Sequence, residues 1–104
     1  MKSQLDHVSV LKQANVYFDG KCVSHTVITA NGDKKTLGVI LPSSLTFNTN
    51  AAEVMEITSG ICRVRLLGQQ IWTKYSAGDR FEVAANSRFD IEVVETLNYV
   101  CHFV

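Results

Sequence analysis

The chain has 104 residues, enough for one modest hydrophobic core and too few for two, because domains below roughly 50 residues seldom bury enough surface to fold alone. Ten basic side chains balance ten acidic ones, which excludes the long-range field that gathers nucleic acid or holds a protein on an anionic membrane and favours a small or neutral partner. Met1 to Val10 interleave Lys2, Asp6 and His7 with single apolar residues, a pattern with neither the apolar run of a secretory signal nor a membrane span, so a soluble cytoplasmic protein is expected.

Along the chain, residues 1–14 carry Leu5, Val8 and Leu11 at helical spacing but Val8 and Val10 at strand spacing, and are read as an N-terminal extension to a domain over 15–104. From Tyr17 onward short β-branched and aromatic runs alternate in polarity between Gly, Asn, Asp and Ser, the signal of strands and turns. Cys22 to Ala30 and Lys35 to Leu41 flank Asn31-Gly32, which predicts a hairpin on a type I′ turn. Further strands are expected at Leu45 to Asn48, Val54 to Thr58, Ile61 to Leu67, Gln70 to Tyr75, Arg80 to Val83, Arg88 to Val94 and Leu97 to Phe103, with turns at Ser59-Gly60, Gly68, Ala77-Gly78-Asp79 and Asn86-Ser87. Alternation puts Cys62, Val64 and Leu66 on one face and Arg63 and Arg65 on the other. Phe81 with Val83, Phe89 with Ile91 and Val93, and Tyr99 with Cys101 and Phe103 make further apolar rows. Many short strands with one apolar face each must close on themselves or stack, and an all-β jelly-roll barrel is the expected solution.

Cys22, Cys62 and Cys101 are odd in number and widely spaced among apolar neighbours, without the short paired spacing of zinc sites or redox pairs, and are expected to be buried thiols. Glu53, Gly60 and Gly78, followed by the strand that ends near Asn86-Ser87, look like the two-motif skeleton of cupins. Metal-binding cupins carry histidines where this chain has Thr46, Asn48 and Phe89, which supply at best weak ligands around one carboxylate. No metal and no cofactor is therefore expected, and His7, His25 and His102 fall outside the motif. Arg63 and Arg65 read as a solvated face or a dimer rim, and Trp72 as core or dimer packing.

Taken across Asn15 to Val104, the sequence resembles the pyrimidine/purine nucleoside phosphorylases, a family of minimal cupins. The carriers are Asn15-Val16-Tyr17-Phe18-Asp19-Gly20-Lys21, the segment from Glu53-Val54-Met55 to Ser59-Gly60, Trp72 with Tyr75-Ser76-Ala77-Gly78, Phe81 through Phe89, and Tyr99-Val100-Cys101. Ala84 departs from the family's usual Pro, which loosens a turn and removes no reactive group. The resemblance implies phosphorolysis: inorganic phosphate, as co-substrate, displaces the base of a nucleoside to give ribose 1-phosphate, with broad tolerance of base and a role in nucleoside salvage. An oxocarbenium-like transition state asks for a cradle for phosphate, anchors for the ribose hydroxyls and support for the leaving base.

Glu53 is the expected ribose anchor, because a carboxylate accepts two hydrogen bonds and its cupin position points inward. Thr46 and Asn48 are expected to face inward beside it. Asn86 and Ser87 are expected to offer backbone N–H groups and a hydroxyl to an anion, with Arg88 or Lys21 supplying charge, and Phe89 and Tyr99 to stack on the base. Each of these has a plain structural alternative in barrel-mouth packing, turn formation or core filling. A homodimer is expected from the high apolar fraction of so small a chain. Two other functions stay open: a non-catalytic cupin binding sugars or nucleosides, and a metal-dependent oxygenase or isomerase with ligands other than those three residues.

Overall fold

The computed structural model describes residues 3–104. Among the described residues nine strands follow in chain order: β1 (Ser9–Val10), β2 (Asn15–Tyr17), β3 (Cys22–Ile28), β4 (Lys34–Ile40), β5 (Ser43–Asn48), β6 (Glu53–Leu66), β7 (Thr73–Ser76), β8 (Arg80–Val83) and β9 (Arg88–Phe103), with one 3-10 turn at Phe18–Gly20. The two long strands organise the rest. The first half of β6 pairs with the second half of β9, and this pair is flanked by β8 on one side and by β4, β3 and the short β1 and β2 on the other. The second half of β6 pairs with the first half of β9, flanked by β7 and β5. The chain thus builds two antiparallel layers joined by strands that pass through both, the jelly-roll architecture of a cupin.

The passage between layers happens at bulges. Register shifts between Ile57 and Cys62 of β6 break the ladder to β9, and an extra residue on a strand increases its twist and lets it bend. Ser59-Gly60 and Glu95-Thr96 are therefore bends within continuous strands, not the turn and the gap between strands expected from composition. β7 starts at Thr73, so Gln70 and Ile71 lie in the preceding loop, with Ile71 78% exposed. The hairpin of β3 and β4 forms as expected on a different turn. The Gly32 N–H donates to Thr29 O (2.9 Å), the Thr29 N–H donates to Asp33 O (2.8 Å), and Gly32 takes φ +91° while Asn31 does not turn left-handed. That is the three-residue loop of a type I turn closed by a left-handed glycine. The segment read as an N-terminal extension supplies β1, which pairs with Val27 and Ile28 of β3.

The core draws on both layers. Met55, Ile57 and Leu97 from one meet Val64, Ile91 and Val93 from the other in a single buried cluster. Cys22, Cys62 and Cys101 are free and buried within it. Burial pushes the Cys62 thiol up to about 11, with Asp79 adding to the rise. The row opposite Cys62 and Val64 is outward, as alternation requires: Arg63 pairs with Glu92, and Arg65 pairs with Asp90 (2.9 Å) while its guanidinium lies 4.7 Å from the centre of the Trp72 ring. Trp72 is accordingly an outer-surface partner of Arg65.

One polar side chain fastens the end of β5 to the turn before β9. Thr49 is 5% exposed. Its hydroxyl donates to Ala84 O (2.7 Å) and accepts from the Ser87 N–H (2.9 Å), while its own N–H donates to Ser87 O (2.9 Å). Replacing it by the isosteric Val removes two part-buried hydrogen bonds, to Ala84 O and from the Ser87 N–H, at roughly 0.5–1.5 kcal/mol each. Thr49→Val is expected to lower the thermal midpoint by about 10 °C or more, and a denaturation midpoint within error of wild type would show that the staple contributes nothing.

Candidate functional site

Between the layers the barrel opens into a cavity of about 150 Å³. β6 begins with Glu53, whose backbone is paired on both sides, to Val83 and to Phe103, so its carboxyl is presented from a rigid position. Asn48 at the end of β5, Ser24 of β3, Thr36 of β4 and Cys101 of β9 bring the other polar groups, and Tyr17, Phe47, Phe89 and Phe103 contribute rings.

The electrostatics follow from this enclosure. Loss of solvent raises the Glu53 carboxyl above the usual carboxylate range, opposed by a hydrogen bond from the Cys101 thiol. Burial and the neighbouring Glu53 charge push Cys101 up to about 12, against a hydrogen bond from Thr36. Cys101 is thus a neutral donor to a carboxylate, not a nucleophile. Tyr99 lies deeper, its hydroxyl 3.5 Å from Cys22 Sγ. Burial and the Cys22 thiol raise its phenol well above the ordinary value, so it stays protonated. Its ring occupies the space over Gly38, where an added Cβ would fall 2.3 Å from the ring.

The structure brings together four of the residues expected from sequence: Asn48, Glu53, Phe89 and Tyr99 line the same cavity. It does not bring the others there. Thr46 is exposed and donates to Asp90 Oδ1 (2.7 Å) on the outer surface, because Leu45 and Phe47 of the same strand take the inward positions. That hydroxyl, followed by Arg65, holds the Asp90 carboxyl below its usual range. Asn86, at φ +53°, gives its N–H to Asn50 O (3.1 Å), and the Ser87 N–H is held by Thr49. Neither backbone donor is therefore available to an anion. Arg88 lies beside Arg65, Asp90 and Gly68 in a separate shallow recess of about 170 Å³, and Lys21 is exposed outside the cavity. Phe89 and Tyr99 are 2% and 7% exposed. Both line the cavity but contribute little open surface to it.

Sequence reasoning missed Ser24, Thr36, Phe47 and Tyr17. Alternation in β3 marks Cys22, Ser24 and Thr26 as one buried row, and a buried hydroxyl in such a row was the available signal. Asn15 Nδ2 donates to both Ser24 Oγ (3.3 Å) and Thr26 Oγ1 (3.2 Å), which satisfies the row. A larger recess of about 660 Å³ lies elsewhere, on the outer face of β4, β9 and β6. There Lys35 Nζ donates to His102 Nδ1 (2.7 Å) and the His102 Nε2–H donates to Glu56 Oε1 (2.8 Å), beside the partly exposed Leu37 and Val39.

The donor set of the cavity does not fit a divalent transition metal: one carboxylate, an amide, two aliphatic hydroxyls, two phenols and a thiol held neutral lack the imidazoles such ions select. The cavity sets one carboxylate among neutral polar groups and aromatic rings. Comparison with known proteins identifies the family. The sequence profile of the family described as pyrimidine/purine nucleoside phosphorylase matches residues 12–103. The chain belongs to the pyrimidine/purine nucleoside phosphorylase family. A pyrimidine/purine nucleoside phosphorylase of Cupriavidus pinatubonensis is 65% identical over 101 residues, covering 97% of this chain and 96% of its own length. One of Herminiimonas arsenicoxydans is 62% identical over 104 residues, covering 100% of both. A crystal structure of a protein of unknown function from Acinetobacter sp. ADP1 superposes with a TM-score of 0.97 at 51% identity, covering 99% of this chain and 100% of that one. Across the phosphorylase family match, the cavity residues from Tyr17 to Phe103 all fall inside the matched span.

Proposed function

We propose that the protein is a metal-independent nucleoside phosphorylase of broad base specificity, a pentosyltransferase that splits purine and pyrimidine nucleosides with inorganic phosphate into free base and ribose 1-phosphate. The observation that carries this reading, beside family membership, is a half-buried carboxylate at the wall of a cavity sized for a sugar. At about 150 Å³ the enclosed space is about half the lower end of the ~300–1,000 Å³ range of drug-sized pockets, so a ribosyl group fits inside and its base projects to the mouth. Glu53 accepts hydrogen bonds from ribose hydroxyls, and its negative charge faces the sugar as positive character develops there. A phosphate oxygen forms the new bond to C1′, the C1′–N bond breaks, and its electron pair leaves with the base. Asn48, at the cavity wall, is the neutral partner for sugar or phosphate.

Chelator-treated protein is expected to release base from uridine and adenosine only when phosphate is present, with ribose 1-phosphate formed in equal amount. Binding of nucleosides with no phosphate-dependent release would instead make the chain a non-catalytic binding cupin. Among the described residues no helix is long and apolar enough to cross a membrane, and three free buried thiols suit a reducing compartment such as the cytoplasm. A homodimer formed through an outer sheet face, with a part in nucleoside salvage, completes the proposal. Sedimentation at micromolar concentration tests the first of these.

A further inference from the structure

Tyr17, which lines the cavity, is followed by a segment held against its own conformational preferences. Phe18, Asp19 and Gly20 take φ of +52°, +55° and +92°, three left-handed residues in succession of which only the last is a glycine. L-residues pay a steric penalty there, and such geometry persists where surrounding structure enforces it and often where function uses it. Its result is the placement of two rings. Tyr17 and Phe18 meet Phe47 edge-on, with centroids 6.5 Å and 5.2 Å away at 76° and 82°. Phe47 in turn stacks on the buried Phe89 at 5.5 Å and 21°. Despite these contacts Tyr17 remains 48% exposed and Phe18 42%.

Tyr17 and Phe47 also line the cavity that holds Glu53, so a sugar seated on Glu53 has aromatic surface beside it in the same cavity. We propose that Tyr17 and Phe18, backed by Phe47, form the platform on which the nucleobase rests, so that base selection is made by ring faces and not by hydrogen bonds to base edges. The inference rests on the phosphorylase reading and deepens it. Every base has a π face, and a stacking platform therefore accepts purines and pyrimidines alike, whereas a site that hydrogen-bonds the base edge rejects analogues strongly.

The test compares KM for adenosine and uridine with affinity for ribose 1-phosphate, which carries no base. Tyr17→Leu keeps apolar bulk without a π face. Phe18→Gly removes the ring while suiting the left-handed backbone, so a melting point at or above wild type certifies its fold. Each variant is expected to raise KM for adenosine about tenfold and for uridine less, with ribose 1-phosphate affinity unchanged, and Tyr17→Phe is expected to recover most of the loss seen in Tyr17→Leu. Unchanged KM in both variants, or a parallel fall in ribose 1-phosphate affinity, overturns the platform. If wild-type protein turns over no nucleoside, the phosphorylase reading fails by itself, and adenosine binding by the same variants then decides the platform: weakened binding keeps it and unchanged binding removes it.

Discussion

Glu53→Gln is expected to lower kcat/KM for phosphorolysis by about 10²–10³-fold while raising the melting temperature at neutral pH. The loss follows from replacing an ionised acceptor by an amide: hydrogen bonds to a charged group contribute about 1.5–3 kcal/mol each, the proposed role gives Glu53 two of them to the sugar, and its negative charge favours the cation-like transition state. The gain in stability follows from burial. A carboxyl whose folded pKa lies above its unfolded value binds its proton more tightly in the native state, so its favourable contribution is present below the unfolded pKa and is lost as pH rises through the folded one. Where Glu53 is ionised the wild-type chain holds a partly desolvated charge, and the amide does not.

The same shift sets the acid limb of the activity. In the proposed mechanism Glu53 works ionised, so kcat/KM is expected to fall on acidification with an apparent pKa raised above the ordinary value of a glutamate. In Glu53→Gln this limb should vanish, and the stability gap between variant and wild type should close as pH is lowered. A variant that is less stable than wild type and equally active would show that Glu53 is a structural strut at the barrel mouth.

What sequence reveals and conceals here has a physical pattern. Faces of single strands were legible, because a period of two is a local property: Cys62 and Val64 are buried and Arg63 is outward on its ion pair with Glu92. Strand continuity was not. Ser59-Gly60 and Glu95-Thr96 have the composition of turns, and a bulge uses the same residues as a turn does. Thr46 illustrates a motif set against alternation. The cupin pattern placed it inward, but Leu45 and Phe47 on either side have more to gain from burial, and they win the inner face. Ser24 and Thr36 were silent for another reason: they reach the cavity from β3 and β4, far along the chain from Glu53 and Cys101. Only closure of the barrel brings them to the same cavity.

Gly60→Ala is expected to cost more than about 4 kcal/mol, a large part of the ~5–15 kcal/mol that holds a domain together. Two penalties coincide. Gly60 adopts φ +94°, which L side chains rarely take, and an added Cβ would sit 2.3 Å from Thr96 O and 2.9 Å from both Glu95 O and Leu97 Cα. All three are backbone atoms of β9, so no rotamer change relieves the clash, and the two strands must move apart where they bend from one layer to the other. Gly68→Ala is the control. It has φ +85° with nothing within 4 Å, so only the conformational penalty applies, roughly 1–2 kcal/mol. Thermal melts should place the Gly60 variant far below the Gly68 variant, with loss of near-ultraviolet signal from the packed aromatic rings. Similar midpoints for the two would mean that β6 and β9 do not depend on close approach at the bulge. Because the bend turns the first half of β6 toward the cavity, partial survival of Gly60→Ala should be accompanied by loss of activity out of proportion to the fraction folded: Glu53 stands on the half of the strand that the added methyl would displace.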